Sequence, residues 1–81
     1  RGVYEWTVVN GEFGHFVTSS LRRHSRGDWG NLSPGDKQQN EAALKGGSRL
    51  FSAYEHWSLP KIWIITEADR SVTTVLFPEE Y

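Results

Sequence analysis

The chain has 81 residues, with 9 basic and 10 acidic side chains and a formal net charge of −1. That length fits a single domain spanning 1–81, and the near balance of charge excludes a whole-chain nucleic-acid signature, leaving only a local patch. The absence of cysteine excludes disulfides, a thiolate nucleophile and a Cys-type zinc site, and reads as an intracellular, cytoplasmic protein.

The longest apolar run, Ile62 to Ile65, is far too short for a spanning helix. So short a chain buries a modest core. Its 4 Trp, 4 Phe and 3 Tyr compensate, since aromatic rings bury the most area each.

In chain order, the first segment reads two ways. Tyr4, Trp6 and Val8 alternate as in a strand, whereas Val3, Trp6 and Val9 share one helical face. Asn10-Gly11 closes the segment either way. From Glu12 to about Ser25 the pattern is an amphipathic helix. Phe13, Phe16, Val17, Leu21 and His24 share one face, while His15, Ser19, Arg22 and Arg26 lie opposite. Gly27 suits the left-handed position that follows a helix end.

A second clear helix starts at Ser33, a good N-cap, with Pro34 at the first helical position and Asp36 three residues on. Gly46-Gly47 ends it. Its core stripe is thin, with Ala43 and Leu44 flanking Asn40, so it belongs at the edge of the core.

The last third is β. "RLFSAYEHW", "KIWIITE" and "SVTTVLF" are rich in branched and aromatic residues. Ser58-Leu59-Pro60 and Ala68-Asp69-Arg70 separate them and are short enough for antiparallel hairpins. The expected fold class is α+β, with two to three N-terminal helices packed on a three-stranded antiparallel β-meander.

The middle strand is apolar on both faces: Ile62 and Ile64 point one way, Trp63 and Ile65 the other. In the third strand Val72 and Leu76 stand against Val75 and Phe77. An antiparallel sheet with one wet face would alternate apolar and polar residues. Helices cover one face, so a second copy is expected on the other, forming a homodimer through Trp63, Ile65, Val75 and Phe77. A longer N-terminal segment wrapping round is the competing cover.

"RRHSRGDWGNLSPGDKQQNEAALKGGSRLFSAY" followed by "KIWIITEADRSVTTVLFPEEY" resembles a family of small bacterial plasmid-related proteins, carried on plasmids, prophages and other mobile elements. The resemblance covers roughly Phe13 to Tyr81. Its most specific pieces are Arg23-His24 with Gly27-Asp28-Trp29-Gly30, Leu50 to Tyr54, and Trp63 to Ser71. It implies no catalytic residue or ligand. It does imply a β-strand ahead of Arg1, so the chain reads as partial, and a helix rather than a strand at the ambiguous first segment.

Each chemical constellation has a plainer structural reading. His24 is a nominal general base beside Asp28 or Glu67, but it lies in the apolar stripe and reads as a half-buried histidine tied to a backbone carbonyl or an acid. Arg22, Arg23 and Arg26, with Arg49, form a nominal nucleic-acid face on which Trp29 would stack a base. The plainer reading is helix-end electrostatics, with Trp29 tucked into the core by an Asp28-Trp29-Gly30 turn. Glu67, Asp69 and Arg70 match no strong metal or acid–base motif, and the spacing of His15, His24 and His56 fits no zinc pattern.

The leading expectation is therefore a non-enzymatic binding or regulatory protein acting through protein contacts as a homodimer, with no catalytic residue, metal or cofactor. The alternative is a nucleic-acid-binding accessory protein using Arg22, Arg23, Arg26 and Arg49. A hydrolase or nuclease using His24, Glu67 and Asp69 comes third.

Overall fold

The computed structural model describes residues 2–81. Three helices, α1 (Val3–Val9), α2 (Gly11–Ser25) and α3 (Pro34–Gly46), precede three strands, β1 (Leu50–His56), β2 (Leu59–Thr66) and β3 (Thr73–Leu76). A 3-10 turn at Pro78–Glu80 follows. The strands form one antiparallel sheet in the order β1-β2-β3. The chain is an α+β protein, and its first segment is helical.

Local chemistry accounts for the element ends. Asn10 separates α1 from α2; its extended backbone breaks the helix and its side chain accepts from the Phe13 N–H at 3.1 Å. The end of α2 is a Schellman motif. Gly27 (φ +82°) donates to the His24 carbonyl at 3.2 Å, and Asp28 donates to that of Arg23 at 2.8 Å. Ser33 caps α3 through the Asp36 N–H, with Pro34 in the first turn. The β1–β2 turn takes Trp57 and Ser58 only, so β2 starts earlier than expected and includes Pro60. The register slips between Tyr54 and His56, an irregularity that accommodates a residue without an N–H.

The main core lies between α1, α2 and one sheet face. It contains Val3, Phe13, Val17, Tyr54, Ile62, Ile64 and Phe77. Phe13 is fully buried, stacked on Phe77 at 5.9 Å and edge-on to Trp6 at 6.0 Å. A smaller cluster of Trp29, Ala43 and Leu50 holds α3. Leu44, expected in the core stripe, is instead 49% exposed. Helix α3 turns its Asn40 and Ala43 side to β1, which leaves Leu44 on the rim.

The register also corrects the expected partner face. Trp63 lies opposite Leu76, and Ile64 opposite Val75. Directly opposed residues share a face, so Val75 sits with Ile64 on the helix-covered side. Phe77 is buried there too, at 5% exposure. Trp63 and Ile65 occupy the other face with Phe51, Ala53, Thr74 and Leu76. The four residues grouped in sequence therefore do not form one surface. The chain itself supplies part of the cover on the second face, where Tyr81 meets the Trp63 ring at 5.7 Å and Phe51 meets it at 5.0 Å.

Candidate functional site

The strip Arg22 to Asn31 splits into separate tasks. Arg23 holds Asp28 through two contacts, at 2.8 and 3.2 Å, and lies over the Tyr54 ring. The hydrogen bond from Arg23 lowers the Asp28 pKa, and Asp28 in turn raises that of Arg23. The Tyr54 hydroxyl donates to the Asp28 carbonyl at 2.7 Å. Trp29 is buried at 4% exposure and donates to Glu41 at 2.8 Å. It therefore offers no stacking platform beside the arginines.

Arg22 and Arg26 are exposed, and no acid pairs with either among the described residues. Arg49 is engaged by the Tyr81 hydroxyl and ring. Of the expected nucleic-acid residues, then, Arg23 and Arg49 have partners within the chain, and Arg22 and Arg26 project freely from the end of α2.

His24 turns inward and is 6% exposed. Its Nδ1 lies 2.5 Å from the Ser52 hydroxyl and its Nε2 lies 2.8 Å from that of Thr66, which contacts the Thr73 hydroxyl at 2.9 Å. The partners are hydroxyls, where a carbonyl or an acid was expected. Burial lowers the His24 pKa and favours the neutral ring. This is not a nucleophile–base pair with access to substrate, because Ser52 is fully buried and the second nitrogen meets a threonine.

A cleft of about 360 Å³ opens beside this network, walled by Trp29, Leu44 and Leu50 with Arg26 alongside. The hydroxyls of Thr66 and Thr73 that line it already bond one another. Asp69 accepts from both the backbone and the side chain of Ser71, closing its own turn, which also lowers its pKa. His24, Glu67 and Asp69 do not converge. No group of three metal-ligating side chains occurs among the described residues.

The two edges of the sheet are treated differently. Along β1 every outward group from Phe51 to Ala53 is occupied. The Asn40 amide donates to the Phe51 carbonyl and accepts from its N–H. The Ala53 N–H donates to the Trp29 carbonyl at 3.4 Å, and the Ala53 carbonyl accepts from Asn31 at 2.7 Å. Asn31 also accepts from the Glu55 N–H at 3.0 Å. Gly30 makes this contact feasible. It has φ +75°, and a Cβ there would lie 2.1 Å from the Ala53 carbonyl oxygen.

With 51 and 53 facing outward, residues 50, 52 and 54 bond β2, and the alternation of an antiparallel ladder carries through the sheet. Ile65–Thr74 and Trp63–Leu76 are then the bonded pairs of β2 and β3. The Glu67 N–H to Val72 carbonyl bond, at 3.0 Å, continues the same phase. The N–H and C=O of Thr73 and Val75 therefore face outward, and no strand pairs with them among the described residues.

Sequence reading missed Ser52, Thr66 and Asn40. The available signal for Ser52 and Thr66 was polar residues at inward-facing strand positions near a histidine in an apolar stripe, and for Asn40 its place in the core stripe of α3. The molecule is an α+β protein with one sealed and one open sheet edge. No family model, no curated protein and no solved structure matches the chain. No helix among the described residues is long and apolar enough to cross a membrane.

Proposed function

We propose that the chain is a non-enzymatic binding module that acts through protein–protein contacts, taking a partner's extended strand on the open edge of β3. The observation that carries this reading is the contrast between the edges. Folded proteins block a sheet edge that must stay unpaired; β1 is blocked by Asn31, Asn40 and Gly30, while β3 keeps two residues' backbone groups available. Strand addition draws its affinity from main-chain bonds of that kind. The engagement of His24, Asp28 and Asp69 by partners within the chain favours binding over catalysis. The resemblance to plasmid-related proteins supports a role for such a module on mobile DNA, and a chain without cysteine suits the reducing cytoplasm.

The test is a titration of the ¹⁵N-labelled chain with a blocked peptide of the Ser71–Leu76 sequence. The amides of Thr73 and Val75 should shift and become protected from exchange. If those amides stay unperturbed at saturating peptide, the reading is wrong.

The free cations Arg22 and Arg26 favour a second reading, contact with nucleic-acid phosphates. Binding to single- or double-stranded polymer at low salt, weakened by Arg22→Ala or Arg26→Ala and by added salt, would support it.

A further inference from the structure

We infer that the strand received by β3 is β3 of a second copy of this chain, antiparallel about a two-fold axis at Thr74. The inference rests on the edge-acceptor reading above and adds the partner and the register. The open stretch of edge is bounded on both sides by the chain's own hydrogen bonds. On one side the Ser71 N–H donates to Asp69 Oδ1 at 3.0 Å. On the other the Phe77 N–H donates to Glu80 Oε1 at 2.8 Å, and the Phe77 carbonyl accepts from Glu80 at 2.9 Å. Among the described residues only Thr73 and Val75 remain, placed symmetrically about Thr74.

That window is self-complementary. With the axis at Thr74, Thr73 meets the partner's Val75 and Val75 meets the partner's Thr73. In an antiparallel ladder each such pair exchanges both N–H···O bonds, so every outward group is satisfied and no existing bond is broken. An axis at Val75 would bring Thr73 against the partner's Phe77, whose N–H and carbonyl are already bonded to Glu80. An axis at Thr73 would require the Ser71 N–H, which is bonded to Asp69.

The side chains agree with this register. No charged residue lies between Thr73 and Leu76, so no like charges meet on the axis. Thr74 and the partner's Thr74 become a close non-hydrogen-bonded pair on the face that carries Trp63 and Ile65. The window is short, so the dimer belongs with weak, transient interfaces of under about 1,200 Å².

Sedimentation of the full chain over a series from about 10 µM to about 1 mM tests this, the range in which such an interface dissociates. A monomer–dimer equilibrium is expected. Thr74 is exposed, so Thr74→Lys and Thr74→Glu leave the fold intact. Each should weaken the dimer about fivefold or more, by placing like charges directly opposite. An equimolar mixture of the two variants should restore dimerisation. A wild-type chain that stays monomeric throughout, or a dimer that neither variant weakens, overturns the inference. A chain that stays monomeric yet binds the Ser71–Leu76 peptide loses self-pairing alone, whereas one that binds neither loses the strand-acceptor function as well.

Discussion

The guanidinium of Arg70 donates to the carbonyl oxygen of Ala43 at 3.1 Å, joining the β2–β3 turn to the last turn of α3. Its other terminal nitrogen faces the carbonyls of Ser48, Ala68 and Glu67, at 2.7, 3.0 and 3.2 Å. Arg70 holds this position with φ 65°, a left-handed backbone that a side chain disfavours. The carbonyl contacts offset that strain.

Two substitutions separate these terms. Arg70→Ala keeps the strain and loses the contacts, and is expected to cost about 1–2 kcal/mol after allowance for exposure. Arg70→Gly loses the same contacts but relieves the backbone, and should be more stable than the alanine variant by about 1 kcal/mol. Urea unfolding of the two variants measures the difference. Equal stabilities would show that the backbone holds no strain here.

Burial of His24 links stability to pH. Its folded pKa lies below the ordinary histidine value of 6.5. The unfolded chain therefore takes up a proton first as pH falls, so stability drops as pH passes down through about 6.5 and levels off below the folded pKa. Asp28 and Asp69, with pKa values lowered from 3.8, titrate below that window. Urea midpoints at pH 7.5 and pH 5 should differ in the wild type, and the difference should shrink in His24→Gln. An undiminished slope in that variant would assign the effect elsewhere.

Gly30 tolerates no side chain. A Cβ would sit 2.1 Å from the Ala53 oxygen and 2.7 Å from the Tyr54 ring, at a φ of +75°. Gly30→Ala is expected to lose about 3 kcal/mol or more, enough to unfold much of a domain this small. Gly46→Ala, with nothing within 4 Å of its added Cβ, is the matched control and should be close to neutral. Thermal melts by circular dichroism compare them.

Asn40 serves the edge of β1 through two amide bonds. Asn40→Leu leaves the Phe51 N–H and carbonyl without these partners and should cost about 2–3 kcal/mol. It should also speed exchange of the Phe51 amide more than that of the Ile64 amide within the sheet. Parallel losses of protection at both would indicate global destabilisation without a specific role in sealing the edge.

Much of the fold was legible because local signals agreed. Ser33 with Pro34, the glycines after α2 and α3, and the apolar stripe from Phe13 to His24 each mark a boundary or a face by short-range physics. The direction of His24 was legible for the same reason. Its partners were not, since Ser52 and Thr66 lie 28 and 42 residues away in the chain. The partner surface went astray on register. Alternation within β3 separated Val75 from Leu76, but only the alignment of Trp63 with Leu76 decided which of them faced the helices. A slip of one residue in a strand exchanges its faces.

The sequence by itself determined the elements from α2 onward, their order and the α+β class, because capping, periodicity and β-branched content act within a few residues. The tertiary structure alone decided that Arg23 is held by Asp28 and Tyr54, and that one sheet edge is sealed while the other stays open. Those outcomes depend on which backbone groups meet across the fold, and every residue carries the same N–H and C=O whatever its side chain.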